Sequence, residues 1–141
     1  MSAEHGNAFE QRFTNQLDSL LPVIEEAVRF LEERKLSERA VNRARLAIEE
    51  MATNILKYGY DDPGPHEILL QVRVEPDTVV VVLEDDGHEF NPLEALPPEL
   101  DLPFEEREPG KMGIYLVRQM AKLVDYQRWA GRNRLTIKIE P

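Results

Sequence analysis

Between Leu17 and Tyr58 the apolar residues follow a helical period twice in succession, with no strand-like alternation between the two runs. The first series is Leu17, Leu20, Leu21, Ile24, Ala27, Val28 and Leu31, and the second is Val41, Ala44, Ile48, Met51, Ile55 and Tyr58. Steps of three and four put each series on one stripe of a helix. Ser37 stands as N-cap to the second helix and Gly59 as its C-terminal stop. Apart from a short candidate strand at Phe9–Phe13, strand patterns begin only at Ile68. Ile68–Val74 alternates, Glu75-Pro76-Asp77 is a turn, and Val79–Leu83 is an unbroken apolar run of the kind found in a central strand covered on both faces. Ile114, Val117, Met120, Ala121 and Val124 then mark a third helix. Tyr126–Trp129 and Leu135–Ile139 form a closing hairpin around Gly131-Arg132-Asn133, with Leu135, Ile137 and Ile139 alternating against Thr136 and Lys138. Helices and strands are not regularly interleaved, which argues against a doubly wound parallel sheet. The expected class is α+β: a two-layer α/β sandwich, with a mixed, mostly antiparallel sheet and helices on one face.

The 141 residues suit one domain spanning 1–141 with one core. Seventeen basic against 27 acidic residues give a net charge of −10, which argues against phosphate-neutralising nucleic-acid binding and against adhesion to an anionic membrane. The absence of cysteine excludes disulfides, thiolate metal sites and a thiol nucleophile. Met1–Glu10 has no apolar signal core, and no apolar run approaches the length of a membrane span, so a cytoplasmic location is expected. His5, His66 and His88 show no metal-ligand spacing. Residues 92–110 hold five of the ten prolines and six acidic residues without a period, the character of a functional lid or of a disordered segment.

Four segments could carry chemistry. Glu50 and Asn54 are four apart on the second helix and so share a surface. A carboxylate and an amide oxygen at that spacing can serve a hydrated Mg²⁺ or a general base, although an exposed Glu and a solvated Asn would read the same. Glu84-Asp85-Asp86-Gly87 ends the apolar strand. It is either an acidic turn or a carboxylate at a pocket rim, with Gly87 letting a planar ligand approach the backbone. Gly110-Lys111-Met112-Gly113 opens the third helix and is either a hinge or a phosphate site at the positive end of the helix dipole, with Lys111 adding a point charge. Asn133 and Thr136 flank the last strand, where a Thr hydroxyl could touch a base or its ordered water, or simply serve the strand.

Taken together these segments carry a resemblance. Leu46–Ile55 resembles the N-box helix of the GHKL ATP-binding superfamily. Val82–Pro92 resembles its first glycine box, in the D-x-G-x-x-F-(D/N)-P form of the anti-sigma factor serine kinases. Gly110–Val117 resembles the second glycine box, and Gly131–Thr136 resembles the closing G-N-x-L-T strand. The resemblance covers roughly residues 9–140 and implies a Bergerat-type ATP-binding fold that takes ATP/ADP with Mg²⁺. It implies Asn54 as the Mg²⁺ ligand and Glu50 as the general base that activates an attacking hydroxyl. It gives Asp85 the adenine amino group, with Gly87 making room, and sets Gly110, Lys111 and Gly113 around the phosphates, residues 93–109 as the ATP lid, and Thr136 near the adenine. Two departures are Glu89, where a second Gly is frequent, and Lys111, where Gly is frequent. The implied activity is a serine/threonine kinase acting on a small anti-sigma-antagonist (STAS-type) protein, with a sigma factor as a second partner and a homodimer among the assemblies. The alternative is a non-catalytic regulator whose nucleotide controls docking to a protein.

Overall fold

The computed structural model describes residues 3–95, 97–99, 102–103, 105 and 110–141. The elements are β1 (Ala3–His5), β2 (Ala8–Thr14), α1 (Leu17–Glu33), α2 (Glu38–Tyr58), β3 (Glu67–Glu75), β4 (Thr78–Asp85), a single 3₁₀ turn (Pro92–Glu94), α3 (Lys111–Met120), β5 (Leu123–Trp129) and β6 (Arg132–Ile139). The six strands form one sheet in the order β1-β2-β3-β4-β6-β5. Every pairing among the described strands is antiparallel, so the sheet is not mixed. The rest of the expected class holds: an α+β sandwich with the helices layered on the sheet.

The two helical stripes supply one side of the core. Leu20, Val23, Ile24, Ala27, Phe30 and Leu31 of α1 and Val41, Ala44, Ile48 and Met51 of α2 are buried against Phe9 and Phe13 of β2, Val79, Val81 and Leu83 of β4, and Leu135, Ile137 and Ile139 of β6. Ser37 caps α2 as expected, its Oγ accepting from the Ala40 N–H at 3.1 Å. The sequence reading of β4 as covered on both faces is matched, since all eight of its residues are buried. One covering is not helical, however. Register seats Val80 between Arg73 and Lys138, and Val82 between Gln71 and Thr136, on the face away from the core cluster. Val80 and Val82 are nonetheless about as buried as the core, and their register neighbours Gln71, Arg73 and Lys138 have long stems of the kind that can cover apolar surface.

Three local expectations are corrected. β1 forms where a loose start was expected, pairing with β2 through the turn at Gly6. α3 stops at Met120, and Val124 belongs to β5. The last hairpin turns at Ala130-Gly131, both with positive φ (53° and 74°), so β6 already begins at Arg132 and contains Asn133. That is the two-residue turn whose twist matches antiparallel strands.

Candidate functional site

α2 runs across the sheet so that Glu50, Asn54 and Tyr58 rise along one side of it, one turn apart. The start of α3 comes down on that side. Gly110 has φ 83°, a left-handed conformation that favours glycine, and a Cβ there would strike the Asn54 amide oxygen and come within 3.3 Å of the Tyr58 ring. A Cβ on Gly113 would collide with the Glu50 carboxylate. The two glycines and the two polar α2 residues therefore meet, one turn against one turn. Asn54 is 6% exposed and donates its Nδ2 to the Glu50 carbonyl at 2.8 Å, which turns its Oδ1 toward Gly110. Of the adjacent glutamates, Glu49 is bound to Arg45 at 2.9 Å, and Arg45 reaches on to Glu25 of α1 at 2.5 Å. The Glu50 carboxylate has no hydrogen-bond partner among the described residues. The N-cap of α3, Gly110, gives no side-chain hydrogen bond to the first turn, which lies at the positive end of the helix dipole.

The second half of the site lies at the end of β4. Asp85 is 4% exposed and is the last residue of the strand rather than part of a turn. Its Oδ1 accepts from the Gly87 N–H at 2.8 Å and from Asn133 Nδ2 at 3.0 Å. Burial pushes the Asp85 carboxyl above its usual range, and the donors on Asn133 and Gly87 pull it back down. A cavity opens between this carboxylate and α2, lined by Met51, Asn54, Ile55, Phe90, Tyr126 and Asn133 together with Asp85 itself. Its apolar walls and single buried carboxylate are the makings of a site for a flat apolar ring with an exocyclic donor.

The structure thus brings Glu50, Asn54, Gly110 and Gly113 together, and Asn54 shares the lining of the cavity with Asp85. Three expected residues differ. Gly87 does not open space for a ligand: the position of its missing Cβ is taken by the Gly59 carbonyl, which also accepts from the His88 N–H at 2.9 Å. Thr136 is not in the cavity, because it pairs with Val82 on the face away from the helices, while Asn133 and Leu135 of the same strand line the pocket. Lys111 lies on a separate groove with Ala95, Pro97, Ile114, Tyr115 and Arg118. Much of the expected lid, at 96, 100–101, 104 and 106–109, lies outside the described residues. Tyr126 and Arg128 carried no signal in sequence; their strand position relative to Asp85 follows only from the register of the last hairpin.

Around the rim, His66 stacks on Tyr60 with ring centroids 4.1 Å apart and contacts Asp62 at 2.6 Å and Asp86 at 3.1 Å. No cluster of three or more acidic or histidine side chains able to hold a metal ion occurs among the described residues. Nor is any helix among them long and apolar enough to cross a membrane.

The family described as the histidine kinase-like ATPase domain matches residues 13–139 of this chain. The chain is also 30% identical over 116 residues to the serine/threonine-protein kinase BtrW of Bordetella bronchiseptica, an alignment covering 79% of this chain and 82% of that protein.

Proposed function

As the chain belongs to the histidine kinase-like ATPase family, we propose that it binds ATP with Mg²⁺ and transfers the terminal phosphoryl group to a serine or threonine of a small protein partner. The observation that carries this reading is the meeting of Glu50 and Asn54 with the glycines that open α3. The residues fit the ligand. The closeness of Gly110 and Gly113 to α2 brings the positive end of the α3 dipole beside the amide and carboxylate, which suits phosphate oxygens. Asp85 offers a buried acceptor to the amino group of adenine. Asn54 contributes one amide oxygen, so Mg²⁺ would be shared between Asn54 and the phosphates, as this ion is usually held. Bound Mg²⁺ supplies charge neutralisation on the transferring group.

Within that frame Glu50 accepts the proton of the attacking hydroxyl. Its carboxylate takes no hydrogen bond among the described residues, whereas the adjacent Glu49 is committed to Arg45. The chain's own work is otherwise positional: α2 sets the spacing of base and ligand, and α3 closes on them. The name of the BtrW relative, a serine/threonine-protein kinase, supports phosphoryl transfer to a serine or threonine. A STAS-type antagonist as acceptor, a sigma factor as second partner and a homodimer belong to this proposal through the resemblance to anti-sigma factor kinases.

The test is calorimetry with ATP with and without Mg²⁺, followed by labelled-phosphate transfer to a STAS-type acceptor. Micromolar or tighter binding is expected, as for an ordinary nucleotide site. Asn54→Ala should lose the Mg²⁺ dependence. Glu50→Gln should keep binding while transfer falls by about 10²- to 10⁴-fold, the usual contribution of a general base. A folded wild type that ignores ATP overturns the reading. A wild type that binds ATP and docks the acceptor only with nucleotide, but transfers nothing, selects the non-catalytic regulator.

A further inference from the structure

Asn133 pairs across the sheet with Asp85 and is 6% exposed. Its side chain can make four hydrogen bonds, two given and two accepted, and the protein takes all four. Nδ2 donates to Asp85 Oδ1 at 3.0 Å and to the His88 carbonyl at 2.9 Å. Oδ1 accepts from the Tyr126 hydroxyl at 2.5 Å and from Arg128 Nη1 at 3.1 Å. Arg128 only donates, so it fixes which end of the amide is oxygen. The same Nη1 also donates to the Gly87 carbonyl at 2.8 Å. Asn133 therefore has nothing left to offer a ligand, although it lines the cavity.

We propose that Asn133, held in place by Arg128 and Tyr126, is the positioning residue that gives the pocket its preference for an aminopurine. It commits one oxygen of Asp85 to the protein and leaves the other, which takes no hydrogen bond among the described residues, to meet an exocyclic amine. This rests on the reading of Asp85 as the base acceptor. With the donors on Asn133 and Gly87 both on Oδ1, the carboxylate cannot rotate without losing two buried hydrogen bonds. Tying the Gly87 and His88 carbonyls into the same network keeps the strand exit from shifting under the base.

The experiment compares ATP with ITP, which carries a carbonyl in place of the amino group. Wild type should prefer ATP at least tenfold, about 1.4 kcal/mol. Asn133→Ala should shrink that preference below about threefold, chiefly by weakening ATP, since a site that hydrogen-bonds a ligand group loses discrimination when its acceptor is no longer aimed. Arg128→Met, which leaves Asn133 in place, should give an intermediate ratio and keeps the question open to test if Asn133→Ala does not fold. Asp85→Ala should abolish the preference. An Asn133→Ala variant that weakens both nucleotides equally, or neither, overturns the positioning role. A preference that survives in Asp85→Ala overturns the reading of Asp85 on which it rests.

Discussion

At the scale of single residues, the site is built from polar groups kept against their solvation preference. Asp85 is the clearest case. Burial lifts its carboxyl above the usual range, so on this residue alone folding is favoured when the carboxyl is protonated, and that contribution is lost as pH rises through its folded value. At neutral pH the ionised Asp85 therefore costs stability. Asp85→Asn should raise the urea midpoint at neutral pH. It should also weaken ATP at least tenfold, because an amide NH₂ would then face the adenine amino group, donor against donor. A variant that binds ATP as tightly as wild type would remove Asp85 from base recognition. Gly113→Ala is the complementary case: its Cβ would displace the Glu50 carboxylate. We expect transfer activity to fall more than ATP affinity, with a stability loss of about 1–3 kcal/mol from overpacking, read by urea unfolding beside a kinetic assay. Helical spacing put Glu50 and Asn54 on one surface and the strand exit singled out Asp85, but each pattern left an ordinary solvated reading open, and their roles came only from the resemblance of the surrounding segments. The reason for Gly87 was not legible in sequence, since it depends on the Gly59 carbonyl coming from another element.

At the scale of elements, what sequence shows is periodicity, and what it hides is where a turn falls. α1 and α2 were visible as stripes, and the cap at Ser37 followed from residue type and place. Ser37→Ala should cost about 0.5–2 kcal/mol, the usual value of such a cap, measured by urea unfolding. A loss below that range would mean that water replaces the hydroxyl at no cost. The last hairpin shows the other side. With the turn placed at Gly131-Arg132-Asn133, Asn133 falls outside the strand; with the turn at Ala130-Gly131 it enters β6 opposite Asp85. Parity of the strand was already present in the alternation of Leu135, Ile137 and Ile139 against Thr136. That alternation sets Thr136 on the face away from the pocket, in conflict with its role by resemblance, and the structure follows the alternation. β1 had no apolar pattern to reveal it, and the end of α3 at Met120 is set by the start of β5 rather than by a break in helical spacing.

At the scale of the whole molecule, the order of elements was enough to name the class, because two helices laid down before the main strands leave an antiparallel sheet as the surface to cover. How the two layers are tied beside the site was not legible, since it rests on a half-buried histidine meeting carboxylates from separate segments. His66 lies just before β3 and reaches Asp62 in the loop after α2 and Asp86 beyond β4. Its imidazole is held above its usual range first by the hydrogen bond to Asp62, then by the charges of Asp62 and Asp86, with desolvation opposing. Asp62 is correspondingly held below its usual range by the bond to His66. For the histidine, stability from the charged form is fully present below its unfolded value, about 6.5, and is lost as pH rises through the raised folded value. For Asp62, stability is present above its unfolded value, about 3.9, and is lost as pH falls through the lowered folded value. The clamp is therefore strongest between about pH 4 and 6.5. His66→Gln removes the stacking on Tyr60 at every pH, but it removes the charge bridge only where histidine is protonated. The difference in urea midpoint between wild type and variant should accordingly be larger at about pH 5.5 than at about pH 8.5, one unit below and two above the unfolded pKa. An equal difference at both would mean that His66 acts through stacking alone and that the sheet and helix layers are not joined by charge at this edge. In a chain of net charge −10, the protonated histidine is also a counter-charge to Asp62 and Asp86, while His88 stands 3.1 Å from Asp61 and the charge of Arg132 acts on Asp85. The same titration followed with ATP present would then show whether the rim that the clamp holds is the rim that the base enters.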